Sequence, residues 1–232
     1  MLILSRNNLN ELADSIIQDF YKEAAPCSEP IDIDRLATDY LGLEVHYEDL
    51  SSNGSILGVT AYAPCTLKLG NTTINLKANS VLLDSSLSPS KCKIQAVNGR
   101  RRFTLAHECA HQILYRYESA ISQAEIRQRY ACRKIFSLRE LKTNEDWNEW
   151  QANTLGAALL MPESLVREIL HNVLHSEKII RYGNWLPPIE YTCIDNMSKL
   201  LEVSHSALQI RLQHLGYLET RDKSEYDNHK RR

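Results

Sequence analysis

The chain has 232 residues, 43% of them hydrophobic, with 27 lysines and arginines against 29 aspartates and glutamates for a net charge of −2. That length accommodates one domain of ordinary size plus an appendage, with a sizeable core, and the near-balance of charge argues against a general nucleic-acid-binding surface. No stretch is long and apolar enough to span a bilayer, the short opening from Met1 to Leu4 lacks the basic start of a signal peptide, and the cysteines (Cys27, Cys65, Cys92, Cys109, Cys132 and Cys193) are scattered without a C-x-x-C, so the expected setting is the reducing cytoplasm.

Leu9, Leu12, Ala13, Ile16, Ile17 and Phe20 recur at helical spacing and predict an opening amphipathic helix. Pro26 and Pro30 mark a turn. Asp32 or Asp34 can cap a second helix that runs to Tyr40 and is ended by Gly42. The period then changes to that of strands over Leu43–Tyr47, Ile56–Tyr62, Thr66–Leu69, Thr72–Leu76 and Val81–Asp84, with Gly70-Asn71 as a hairpin signal. Arg100, Arg101 and Arg102 stand just before the next helix, where three cations oppose the helix dipole. They are read as solvated.

That next helix carries His107, Glu108 and His111 in the order H-E-x-x-H. Residues four apart on a helix lie one turn above each other, so the two imidazoles can grip one metal ion from the same side. Glu108 is rotated slightly around the helix, where a general base for a metal-activated water would sit. Apart from Glu108 no charge lies between Phe103 and Gln112, and burying such groups is costly unless they are paired or bound to a metal. Cys109, within the motif, reads as a small buried hydrophobe. Arg127, Arg129, Arg133 and Lys134 form a basic cluster nearly balanced by neighbouring acids, and a solvated helix accounts for it.

A catalytic site needs a third protein ligand from a later element. Glu149 is the best candidate. It opens an apolar stretch rich in small residues, Ala152, Gly156 and Ala157 among them, that ends at Pro162. Small residues let two helix axes approach closely. Glu145 and Asp146 are rival ligands that fall before the apolar run. A further helix runs to about His175, carrying His171. Residues 183–188 read as a linker, and Ile194–Leu201 and Ser206–Leu215 as two short helices in a helix-turn-helix-like outline. Asp195 and Glu202 cancel Lys199 and Arg211 there, which favours packing or substrate docking over DNA reading. The tail from Arg221 to Arg232 is charged and aperiodic and is expected to be disordered. The expected division is therefore 1–182, a linker at 183–188, a helical segment at 189–220 and a loose tail at 221–232. The expected class is α+β and helix-rich, with a small twisted sheet and the site between helices and sheet, the layout of zincin peptidases.

Phe103-Thr-Leu-Ala-His-Glu-Cys-Ala-His111, followed by Glu149-Trp-Gln-Ala-Asn153 and Ala158-Leu-Leu-Met-Pro162, resembles the ImmA/IrrE family of bacterial zinc metallopeptidases over about Ile31 to Pro162. The resemblance implies zinc on His107, His111 and Glu149, with Glu108 as the base. It also implies a protein substrate, a helix-turn-helix transcriptional repressor of a mobile element or stress response. The stretch from Arg116 to Asn148 is longer than in compact members. An intact Glu108 favours this reading over a non-proteolytic regulator with a structural metal site whose C-terminal helices bind DNA or protein. A hydrolase of small amides, and manganese or iron in place of zinc, stay open on the sequence. Asn79 to Asp84 is a candidate edge strand for holding an extended peptide. Tyr115, Tyr117, His171 and His175 are candidates for a second oxyanion donor.

Overall fold

The computed structural model describes residues 3–22, 29–51, 53–69, 72–118, 123, 130–132, 144–174 and 177–229. The opening helix forms where the apolar spacing places it. α1 (Arg6–Tyr21) starts at a capping box: the Ser5 hydroxyl accepts from the Asn8 N–H, and Asn8 returns the bond to the Ser5 N–H. Its apolar stripe, Leu9, Ala13, Ile16 and Ile17, is buried. Asp32 caps the short α2 (Ile33–Arg35), which continues as a single π turn over Leu36–Tyr40. Gly42 then takes φ +66°, a conformation that favours glycine, and the chain turns into the sheet.

Five strands follow: β1 (Glu44–Glu48), β2 (Gly58–Ala61), β3 (Cys65–Leu69), β4 (Thr72–Leu76) and β5 (Ser80–Asp84). β3 and β4 pair antiparallel as expected, while Gly70 and Asn71 between them lie outside the described residues. The main sheet has the order β1-β5-β2-β6, with β6 (Tyr130–Cys132) antiparallel to β2. β5 is thus an inner strand, parallel to β1 and antiparallel to β2. The edge role expected for Asn79–Asp84 fails for that reason. All five β5 residues are buried, so the strand is covered on both faces as well as on both edges.

α3 (Gln95–Tyr117) begins at Gln95, well before the arginines. The dipole argument about Arg100–Arg102 therefore lapses, and solvation holds only for Arg100. Arg101 and Arg102 are buried. Arg101 donates two parallel hydrogen bonds to Asp34, at 2.6 and 2.7 Å, the fork geometry that suits guanidinium and carboxylate. Arg102 donates to the Ile31 carbonyl at 2.8 Å and lies 3.5 Å from Glu202. The pair fastens α3 to the α2 region and to the C-terminal helices.

The remaining elements are α4 (Asn144–Leu160), α5 (Glu163–Leu174), β7 (Ile179–Tyr182), α6 (Pro188–Leu200), α7 (His205–Leu215), β8 (Leu218–Arg221) and α8 (Lys223–His229). The fold is α+β and helix-rich, with α3 packed on α4 and α4 packed on α1. No helix among the described residues is long and apolar enough to cross a membrane. At the start of residues 183–188, expected as a linker, the chain makes a tight turn in which Tyr182 and Trp185 exchange backbone hydrogen bonds at 2.9 and 3.0 Å. Ile194, Met197, Leu201, Val203, Leu208 and Leu212 share one core with α1, α3 and α4. The disorder expected from Arg221 onward is corrected over the described residues. Lys223–His229 are helical, and Tyr226 closes on Trp185 and Tyr182 with ring centroids 4.5 and 5.1 Å away. One aromatic in an otherwise polar tail is enough to anchor it. Residues 230–232 lie outside the described set.

Arg211 belongs to this interior. It is 2% exposed, donating from Nε to the Met161 carbonyl at 2.9 Å and from Nη1 to Asn10 at 2.8 Å. Burial pulls its pKa down to about 10, against the opposing charges of Asp14 and Glu163. The cation thus joins α7 to the end of α4 and to α1. Arg211→Leu is expected to destabilise the fold by about 3 kcal/mol, because its partners lose a buried donor; the midpoint of urea unfolding measures this.

Candidate metal centre

His107 and His111 occupy successive turns of α3 and present their rings edge to face, centroids 4.6 Å apart. Their Nε2 atoms are 3.0 Å apart. Glu149, in the second turn of α4, completes the group: one carboxylate oxygen lies 3.3 Å from His107 Nε2 and the other 3.2 Å from His111 Nε2. All three side chains are buried. Among the described residues this is the one cluster of histidine, cysteine and acidic groups that could hold a metal ion.

The local cause is the contact between α3 and α4. A Cβ on Gly156 would sit 3.1 Å from both the Ala106 carbonyl carbon and the His107 nitrogen, so the α4 backbone rests almost directly on the turn that carries the first histidine. Ala152, one turn earlier, is fully buried. These are the small residues the sequence singles out.

The donors fit a metal ion. Zinc bonds of about 2.0–2.1 Å in tetrahedral geometry separate ligand atoms by ~3.3 Å, and the separations here run from 3.0 to 3.3 Å. The donor set is two imidazole nitrogens and one carboxylate. Burial pushes the Glu149 carboxyl up, but hydrogen bonds and charge from His107 and His111 outweigh it and hold the pKa at about 2. Glu149 is therefore ionised at neutral pH. Asp146 stands outside the cluster, and the Glu145 side chain is not among those described.

Glu108 is fully buried. A Cβ on Gly58 would fall 2.5 Å from Glu108 Oε1 and 2.9 Å from the Thr104 methyl, so the start of β2 lies directly on this carboxylate. Farther along, Gln112 Nε2 donates to Thr60 Oγ1 at 2.6 Å and to the Ala61 carbonyl at 3.1 Å. Tyr62, just past the end of β2, stacks on Tyr115 with centroids 4.5 Å apart. β2 therefore runs alongside α3 from Glu108 toward Tyr115. Gly58, Thr60 and Gln112 were not singled out in the sequence, because nothing in their local pattern tells that this strand packs on this helix. Cys109 is fully buried, and burial pushes its thiol well above the ordinary range, consistent with a small hydrophobe. His171 is exposed, and His175 lies outside the described residues.

Residues 95–213 match the Peptidase_M78 family, described as the IrrE N-terminal-like domain. The chain belongs to this family. As a Peptidase_M78 member it is a metallopeptidase acting on a protein substrate, and the buried His-His-Glu group is compatible with that assignment. No curated protein matches the chain. The matched span opens at the first residue of α3 and closes within α7, so it takes in both helices of the cluster and the C-terminal pair but not the sheet strands β1–β5.

Gly156→Val is expected to weaken metal binding by about tenfold or more, since its side chain must part α3 from α4; competition with a chromogenic chelator reads the affinity.

Proposed function

We propose that this Peptidase_M78 member is a zinc-dependent endopeptidase of zincin-like architecture that cuts a helix-turn-helix transcriptional repressor in the cytoplasm. His107, His111 and Glu149 would hold the zinc, and Glu108 is the general base. The observation that carries the reading is the convergence of three buried donors from α3 and α4 beside a second, separate carboxylate, Glu108.

When bound, zinc supplies Lewis acidity toward a water molecule and toward the substrate carbonyl. Glu149 would bring the negative charge that offsets part of the cation. Glu108, set by the close approach of Gly58, accepts a proton from the attacking water and delivers it to the leaving amine. A purely structural metal site has no use for a buried Glu108, which weighs against a non-proteolytic regulator. Two features bear on the C-terminal helix pair: its apolar side chains belong to the common core, and Arg211 is turned inward rather than toward a phosphate backbone. Both favour packing or substrate docking over DNA reading. The repressor substrate rests on the resemblance to ImmA/IrrE peptidases.

Incubation of the purified protein and zinc with a candidate repressor is expected to yield a discrete cut. Glu108→Gln should retain its zinc and lose at least about 100-fold in rate, whereas Glu149→Ala should lose both zinc and activity. An absence of cleavage, or a Glu108→Gln variant as active as the parent, would reject the peptidase reading.

A further inference from the structure

Attack of water on a peptide carbonyl moves the carbonyl π pair onto oxygen, and a donor aimed at that oxygen stabilises the resulting charge. We propose that the Tyr62 hydroxyl is this donor, a catalytic residue additional to Glu108. The inference rests on the peptidase reading above and deepens it.

Three observations place Tyr62 there. First, His107, His111 and Tyr115 follow one another at four-residue spacing, so Tyr115 is the next rung beyond the metal pair, about 6 Å farther along the axis. Tyr62 stacks on that rung. Second, β2 is held in register with α3 by the two Gln112 bonds, and its other end lies on Glu108, so the ring leaves a strand already fixed against the site. Third, both carboxylates of the site, Glu108 and Glu149, act electrostatically on the half-buried Tyr62 phenol. Burial first, then those two charges, push the phenol well above its ordinary range. It therefore keeps its proton and can donate.

The other candidates are less well placed. The Tyr117 side chain is 58% exposed, and His171 is exposed on α5. Tyr62 forms no covalent bond in the step. The proton taken by Glu108 returns to the amine, and the phenol only donates a hydrogen bond while the carbonyl oxygen carries charge.

The test compares wild type, Tyr62→Phe and Tyr115→Phe, all zinc-loaded, for binding of acetohydroxamate, whose carbonyl oxygen imitates the reacting one. Isothermal titration, zinc content and melting temperature are read together. Tyr62→Phe keeps the ring stack, so zinc content and melting temperature should match wild type while acetohydroxamate binds about tenfold more weakly. Tyr115→Phe should bind it as wild type does. With a cleavable repressor, Tyr62→Phe should lower kcat about 100-fold at an unchanged KM. Equal acetohydroxamate affinity at full zinc content would overturn the assignment and leave the metal centre standing. Weaker binding accompanied by zinc loss would overturn it in favour of a structural ring, and the loss appearing in Tyr115→Phe instead would transfer the role to that tyrosine. A wild type that takes up no zinc would overturn the metal reading and this inference with it.

Discussion

Two helix axes meet where one of them carries no side chain. Gly156 lets the α4 backbone rest on the Ala106–His107 peptide of α3, and the rest of the site follows from that contact. Two imidazoles from one helix and a carboxylate from the other arrive within 3.0–3.3 Å of one another in the buried interior. Burying an anion and two imidazoles together carries a desolvation cost. A divalent cation removes that penalty, while the packing holds the donors in place beforehand. α4 is backed by α1, by the bond from the Leu4 N–H to Gln151 at 2.7 Å and by Arg211 at its far end. Elements far from the cluster thus determine its geometry.

The sheet supplies a second constraint, on the proposed base rather than on the proposed ligands. β5 is the buried spine between β1 and β2, so β2 cannot shift without disturbing the strand beside it. β2 touches α3 in sequence: Gly58 on Glu108, Thr60 and Ala61 on Gln112, and Tyr62 on Tyr115. The carboxylate proposed to move protons is therefore positioned by a strand, and the proposed metal donors by the packing of two helices. Separate supports suit the separate roles proposed for Glu108 and Glu149, although both are buried acids. The Arg101–Asp34 fork and the Arg102–Ile31 bond then tie α3 to the segment leading into that sheet.

Much of this was legible in the sequence, for identifiable reasons. Apolar spacing gave α1, the strand period gave β1 to β5 to within about two residues, and the small-residue run beginning at Glu149 marked the helix that approaches α3. Periodicity says nothing of sheet order, so the placement of β5 as an inner strand was invisible, and with it the lack of a free edge there. Charge patterning misled at Arg101, Arg102 and Arg211. A local window cannot see that Asp34, the Ile31 carbonyl and the Met161 carbonyl lie ready to receive them from distant parts of the chain. Tyr226 shows the same limit in the tail, where one ring outweighs its polar neighbours once Trp185 and Tyr182 are within reach.

X-ray absorption at the zinc edge, recorded on the purified full chain, tests the arrangement most directly. The account predicts a first shell of two imidazole nitrogens and oxygen from one carboxylate and solvent, at about 2.0–2.1 Å and without sulfur. A shell containing sulfur, a single imidazole, or no zinc bound to the protein at all would contradict it.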